Sequence, residues 1–211
     1  MNIQAERMLD SIESHFHLTP IVRDAMARIP REIFMDEALK RFAYSIDAIS
    51  IGANQFISSP LTVAKMTQYL EIDKNCDSVL EIGCGSGYQA AILSGIFRRV
   101  FSIERIDRLR NEAIMRFKKL GIMNIYTKLD DGKNGWDKFA PFDRIIFSAA
   151  LGEIPHKIIT QLQENGIIVA PIVKNDGTQI ITRFIKKHNQ LVVLDKRDLC
   201  EFVPVLDSIE V

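Results

Sequence analysis

One short run of the chain carries an unusual combination of charge and backbone freedom. In Val79-Leu80-Glu81-Ile82-Gly83-Cys84-Gly85-Ser86-Gly87-Tyr88, a carboxylate stands two residues ahead of three glycines at alternate positions. The apolar stretch from Ser78 to Ile82 reads as a buried strand, and Gln89-Ala90-Ala91-Ile92-Leu93 opens a helical pattern. Strand, glycine turn and helix together form a place where nucleotide-like ligands dock against a helix N-terminus. Spacing separates the possible ligands. A dinucleotide fingerprint, G-x-G-x-x-G, has its third glycine three residues after the second. Here the pattern is E-x-G-x-G-x-G, and Glu81 would repel a pyrophosphate but pair with a cation. S-adenosylmethionine has an ammonium, a sulfonium and no phosphate, and glycines let the backbone approach its amino-acid end closely. A dinucleotide site and a purely structural glycine turn are the competing readings.

Two further sites have chemistry within reach. Arg99 to Glu104 reads as the next strand, and an acid about 20 residues past a glycine turn, at a strand's C-terminal end, commonly holds ribose hydroxyls. Glu104 fits that place, or it caps the helix that starts near Asp107. Upstream, Ser58 and Ser59 precede Pro60, which starts a helix. Either a serine caps that helix, or its hydroxyl orients a substrate anion beside the helix dipole. His156 lies close enough in sequence to be a site residue or a surface histidine at a helix start. His15 and His17 have no accompanying ligand cluster, so a metal site is not indicated.

The elements that must position these groups follow from periodicity. Met8, Ile12 and Phe16 recur at helical spacing, and Thr19-Pro20 reads as the start of a second helix. Ala38–Tyr44 is a short helix candidate, Ala48–Gly52 an extended segment, and the run from Gln55 to Ser59 a loop. Helices are expected near 88–97, 107–120 and 155–163, and strands near 78–82, 99–104, 124–128, 143–148 and 166–172. This rhythm predicts an α/β fold: a doubly wound, mostly parallel, Rossmann-like sheet with extra N-terminal helices. Thr178–Phe184, Leu191–Leu194 and Phe202–Val205 read as antiparallel C-terminal strands, with a hairpin turn at Lys187–Gln190. One domain is expected over 1–211, divided into an N-terminal helical and substrate-loop region (1–75), a cofactor-binding core (76–175) and C-terminal strands (176–211).

Composition excludes several classes. A formal net charge of zero gives no broad basic face for nucleic acid. Cys76, Cys84 and Cys200 are odd in number and widely spaced, which argues against a disulfide framework or zinc site. No apolar run has the roughly 18 residues of a membrane span, and no signal-peptide pattern opens the chain. A cytoplasmic protein, with a monomer favoured and neither nucleic acid nor membrane as partner, is expected.

From about Ile29 to Val205 the chain resembles the protein-L-isoaspartate (D-aspartate) O-methyltransferases. Ile29-Pro30-Arg31-Glu32-Ile33-Phe34 is similar to the family's V-P-R-x-x-F, Gln55-Phe56-Ile57-Ser58-Ser59-Pro60 to its Q-T-I-S-x-P, and Val79–Ala91 to its V-L-E-I-G-x-G-S-G-Y-Q-x-A. Asp131-Gly132, Pro141-Phe142-Asp143, Ala149-Ala150, Ile154-Pro155 and Phe202-Val203-Pro204 follow in order. The resemblance implies methyl transfer from S-adenosylmethionine to the free carboxylate of isoaspartyl (and D-aspartyl) residues in damaged proteins and peptides. The ester can then re-form a succinimide, whose hydrolysis returns some normal aspartate. It also implies roles: Ser58 contacts the substrate carboxylate; Glu81, Gly83, Cys84, Gly85 and Gly87 surround the methionine part of the cofactor; Glu104 binds ribose; and Asp131 with Gly132 contacts adenine. Gln55, Phe56 and Ile57 flank the substrate, and Ile29–Phe34 and Phe202, Val203 and Pro204 frame its groove. Departures stand at Phe56 for threonine, Asn54 for glycine, Asp130 for the first glycine of G-D-G, and Leu151-Gly152 for prolines or small residues. The Phe56 ring either narrows the site or swings outward. Competing readings are a methyltransferase of the same fold on another substrate and a homologue with weakened catalysis.

Overall fold

The computed structural model describes residues 2–52 and 54–211. Helices α1 (Ile3–Glu13) and α2 (Pro20–Arg28) open the chain. Two 3-10 turns, Arg31–Phe34 and Glu37–Phe42, lead to an antiparallel pair, β1 (Ile49–Gly52) and β2 (Gln55–Ile57). Helix α3 (Pro60–Tyr69) precedes an alternating series: β3 (Ser78–Ile82), α4 (Tyr88–Ser94), β4 (Arg99–Glu104), α5 (Asp107–Lys119), β5 (Ile125–Leu129), β6 (Phe142–Phe147), α6 (His156–Gln161) and β7 (Leu162–Val173). Two long strands, β8 (Gln179–Lys187) and β9 (Gln190–Cys200), complete the sheet. Among the described residues no helix is long and apolar enough to cross a membrane.

The main sheet has seven strands in the order β5-β4-β3-β6-β7-β8-β9. Strands β3 to β7 run parallel, and β8 and β9 are antiparallel, as the α/β pattern predicts. The chain winds outward from β3 through β4 to β5, then returns to place β6 on β3's other side. That reversal opens a crevice at the carboxyl ends of β3 and β6, where ligands of open α/β sheets bind.

Strand alternation divides the core between two faces. Val79 and Val100 join Leu9, Ile12, Met26, Ile92 and Phe117 on the side of the N-terminal helices. Leu80, Ile82, Phe101 and Ile103 point the other way, toward Phe142, Ile158 and Leu162. Every residue of β3 is buried, as a central parallel strand covered on both faces requires.

Three expectations change. Gln55–Ile57 is a short strand rather than loop; its alternation is too brief to register as a pattern. Phe202–Val205 is not a strand but a strap attached by one bridge between Pro204 and Ala150. Val205 donates to the Ala150 carbonyl at 2.7 Å and Ala150 to that of Val203 at 2.8 Å, but Pro204 has no N–H with which to extend a ladder. Finally, α6 stops at Gln161 because β7 starts at Leu162, earlier than the apolar run alone suggests. The expected hairpin turn is present between β8 and β9, with His188 and Asn189 at φ 51° and 61°.

Candidate active site

One cavity lies over the crevice, about 940 Å³ of space with its solvent-open mouth included. The carboxyl ends of four parallel strands supply its floor: Gly83 to Gly85 after β3, Glu104 and Arg105 at the end of β4, Gly132 after β5, and Ser148 and Ala149 after β6. The N-terminal region contributes Gln55, Phe56, Ile57 and Ser58, and the C-terminal strap contributes Phe202 to Leu206. Three stretches far apart in sequence therefore meet at one place.

The glycine turn shows a division of labour. Gly85 has φ +52°, and a Cβ there would meet nothing nearer than Ile51 Cδ1 at 4.0 Å, so its open side is the cavity. Gly87 has φ +90°, but a Cβ would strike the Phe117 ring at 2.8 Å. Gly87 does not border the cavity; its missing side chain lets α4 pack against α5. Gly83 sits against Ser148, and a Cβ on Gly132 would lie 2.3 Å from Ile82 Cγ2. Cys84 is buried in the turn, where burial pushes its thiol well above the ordinary range.

Glu81 is fully buried. Two-residue alternation puts it on the same sheet face as Ser102 of β4 and Ser148 beyond β6. Ser102 donates to one carboxylate oxygen, and Ser148 to the other at 3.3 Å. Among the described residues no cation pairs with it. Burial raises its pKa to about 8, the two serine hydroxyls hold it down, and Glu104 adds repulsion. Such a carboxylate is poised to ionise when a cation arrives.

Glu104 braces the turn ahead of α5 but does not cap that helix, whose N-cap is Ile106 with no side-chain cap bond. Its Oε1 accepts the backbone N–H groups of Arg105 at 2.9 Å and Ile106 at 3.0 Å, just ahead of α5. Its Oε2 accepts the Gly85 N–H at 2.7 Å and so ties the β4 end to the glycine turn. A carboxylate has about four lone-pair directions; one remains on Oε2, and Glu104 borders the cavity. Asp131 accepts one backbone N–H on each oxygen. Its oxygens accept from Lys133 N at 2.9 Å and Ser208 N at 3.2 Å, so it caps a 3-10 turn and holds the C-terminal tail without bordering the cavity. The neighbouring Asp130, an added charge, is paired with Lys128.

The two serines are distinguished by the helix they precede. Pro60 occupies the first position of α3, so the N-cap is Ser59, whose Oγ accepts the Thr62 N–H at 3.1 Å. Ser58 is not the cap. Its hydroxyl has no hydrogen-bond partner among the described residues and borders the cavity, while its carbonyl accepts from Arg31 Nη2 at 3.0 Å. Phe56 borders the cavity with 55% of its surface exposed, so its ring is not packed into the interior. Asn54 takes φ 52°, a conformation asparagine tolerates. His156 is exposed and outside the lining.

Sequence reasoning did not single out Thr62, Met66, Tyr88, Gln89, Ser148 or Leu206, which also border the cavity. The signal for Ser148 was available: a hydroxyl directly after a buried apolar strand, in phase with Glu81.

Comparison with known proteins agrees with this geometry. The family described as protein-L-isoaspartate(D-aspartate) O-methyltransferase matches residues 3–210. A protein-L-isoaspartate O-methyltransferase of Helicobacter pylori (strain P12) is 55% identical over 209 residues, covering 99% of each chain. A solved protein-L-isoaspartate O-methyltransferase superposes with a TM-score of 0.88 at 26% identity, covering 98% of this chain and 67% of that one. A Plasmodium falciparum structure, titled a putative enzyme of this kind in complex with S-adenosyl-L-homocysteine, shares the fold with a TM-score of 0.83 at 21% identity, over 96% of this chain and 98% of that one. With the serine loop, glycine turn and C-terminal strap gathered round one cavity, the chain belongs to the protein-L-isoaspartate (D-aspartate) O-methyltransferase family.

Proposed function

We infer that this chain transfers the methyl group of S-adenosylmethionine to the free carboxylate of isoaspartyl residues in proteins and peptides, and that it does so in the cavity described above. The observation that carries the site assignment is the uncommitted Ser58 hydroxyl, which shares one cavity with the glycine turn and the buried Glu81 carboxylate. The residues fit the cofactor, since the open side of Gly85 leaves room for a ligand and Glu81 lacks a cationic partner among the described residues.

When bound, S-adenosylmethionine supplies a methyl group activated on a sulfonium. Glu81 is the counter-charge for the cofactor's cationic end. The free lone pair of Glu104 accepts from a ribose hydroxyl, and Gly132 borders the adenine. Ser58 donates to the substrate carboxylate and fixes its orientation. A free carboxylate has a pKa near 4 and is already ionised at neutral pH, so no enzymic base is required. Catalysis comes from holding the reacting groups in line. Gln55, Phe56 and Ile57 on one side and Phe202, Val203 and Pro204 on the other frame the peptide.

The acceptor chemistry is tested by the product. Methyl groups transferred to an isoaspartyl peptide should form a base-labile ester and be released as methanol under mild alkali; base-stable label would contradict a carboxylate acceptor.

A pH dependence follows from Glu81. A bound cation favours its ionised form, so binding should lower its pKa from about 8 and release a proton below that pH. Cofactor affinity should rise with pH, by up to about tenfold per unit, and level off above pH 8. Calorimetry at pH 7 in two buffers of different ionisation enthalpy should detect the released proton, and Glu81→Gln should abolish it. Affinity that is flat from pH 6 to 9 in the native chain would count against this pairing.

We further propose that the protein acts as a monomer in the cytoplasm, on polypeptides rather than nucleic acid or membranes. In support, the formal net charge of zero gives no broad basic face, and the three cysteines are free.

A further inference from the structure

Buried arginines in this protein are handled in two ways. Arg144 donates to the carbonyls of Leu70, Asp143 and Glu71 and pairs with Asp73. Arg183 donates to the Tyr69 carbonyl and pairs with Glu71 and Asp195. Arg31 has neither a set of acceptors nor a carboxylate. It is 0% exposed, makes one hydrogen bond, to the Ser58 carbonyl, and lies within ion-pair distance of no acid among the described residues. Its Nε and Nη1 are buried without acceptors. The nearest acid in sequence, Glu32, instead accepts from the Tyr44 hydroxyl. Burying an ion without a counter-charge costs several kcal/mol; the Tyr88 side chain offsets part of that cost, but no acid among the described residues neutralises the charge.

The position of that charge gives it a use. The guanidinium lies 4.7 Å from the centroid of the Tyr88 ring, and both Tyr88 and Ser58 border the cavity. The Tyr88 hydroxyl makes no hydrogen bond of ordinary geometry, but it lies close enough to the guanidinium for Arg31 to oppose the rise that burial gives its pKa. Arg31 therefore stands directly behind the wall where Ser58 presents its hydroxyl, in surroundings that screen charge weakly.

We propose that Arg31 is a positioning residue: its unneutralised guanidinium makes the Ser58 end of the cavity select a carboxylate over the isosteric neutral amide, and its bond to the Ser58 carbonyl holds the hydroxyl in place. This rests on the reading of the site as an isoaspartyl site. Arg31 does not touch the substrate in this account; it acts through Ser58 and through its field. The missing counter-ion is the substrate's carboxylate.

The test is a ratio of two affinities. In the presence of saturating S-adenosylhomocysteine, the full chain is titrated with an isoaspartyl peptide and with the same peptide carrying a carboxamide in place of that carboxylate. The native protein should prefer the carboxylate by about tenfold or more. Arg31→Met should bring the ratio to about one while S-adenosylhomocysteine affinity is kept, and Arg31→Lys, which retains the charge, should keep most of the preference. The ratio does not depend on how much of a marginal variant is folded. Equal loss of both peptides in Arg31→Met would overturn the proposal by making Arg31 a loop brace only, and so would a folded Arg31→Lys with no preference. If the native chain binds both peptides equally, this proposal alone fails. If it binds S-adenosylhomocysteine but neither peptide, the isoaspartyl reading fails, and the proposal with it.

Discussion

Gly85→Val is expected to yield a folded protein that no longer binds S-adenosylmethionine. Residue 85 has φ +52°, so a branched side chain costs roughly 1–3 kcal/mol in backbone strain. The space beside it is otherwise open, with the first heavy atom 4.0 Å from the new Cβ. That space is the cavity, and two methyl groups would occupy the cofactor's place. Affinity should fall by at least about 100-fold, or about 2.7 kcal/mol. Gly87→Val, two residues on in the same motif, should fail differently. Its Cβ would lie 2.8 Å from the Phe117 ring, forcing α4 and α5 apart at roughly 1–3 kcal/mol beyond the strain of its own positive φ. Thermal melts with calorimetric titrations separate the two: Gly85→Val loses the ligand and Gly87→Val loses stability. Normal cofactor affinity in Gly85→Val would remove the glycine turn from the site.

Ser58→Ala and Ser59→Ala form the second pair. Ser58→Ala should leave cofactor affinity unchanged and lower transfer to isoaspartyl peptide by about 10- to 100-fold, from losing one hydrogen bond of about 1.5–3 kcal/mol to a charged group. Its melting temperature should hardly move, because Ser58 caps nothing. Ser59→Ala should do the reverse. Removing the acceptor of the Thr62 N–H costs about 1 kcal/mol of stability and leaves transfer intact below the melting range. Reversed phenotypes, or equal activity in native protein and Ser58→Ala, would refute the roles given to the two residues.

What was legible in the sequence follows the range of the interactions. The sheet, its glycine turn and the acid ending β4 follow from local periodicity, and all three stand where that periodicity puts them. The choice between Ser58 and Ser59 was also local, since a proline at the first helical position makes the residue immediately before it the cap. Gly87 and Asp131 depended on distant partners. One meets Phe117 thirty residues on, the other the backbone of Ser208 beyond the last strand. Nothing in a motif tells a glycine that faces a ligand from one that faces a ring. The solitary Arg31 was likewise invisible, because a sequence gives the presence of a charge but not the absence of its counter-ion.

The most direct test is tritiated-methyl transfer to an isoaspartyl peptide beside its normal aspartyl twin, the two differing only in which carboxyl group carries the chain. The isoaspartyl peptide should be labelled and the twin should not. Equal labelling of both, or labelling of neither by a protein that binds S-adenosylmethionine, would contradict the proposed isoaspartyl methyl transfer.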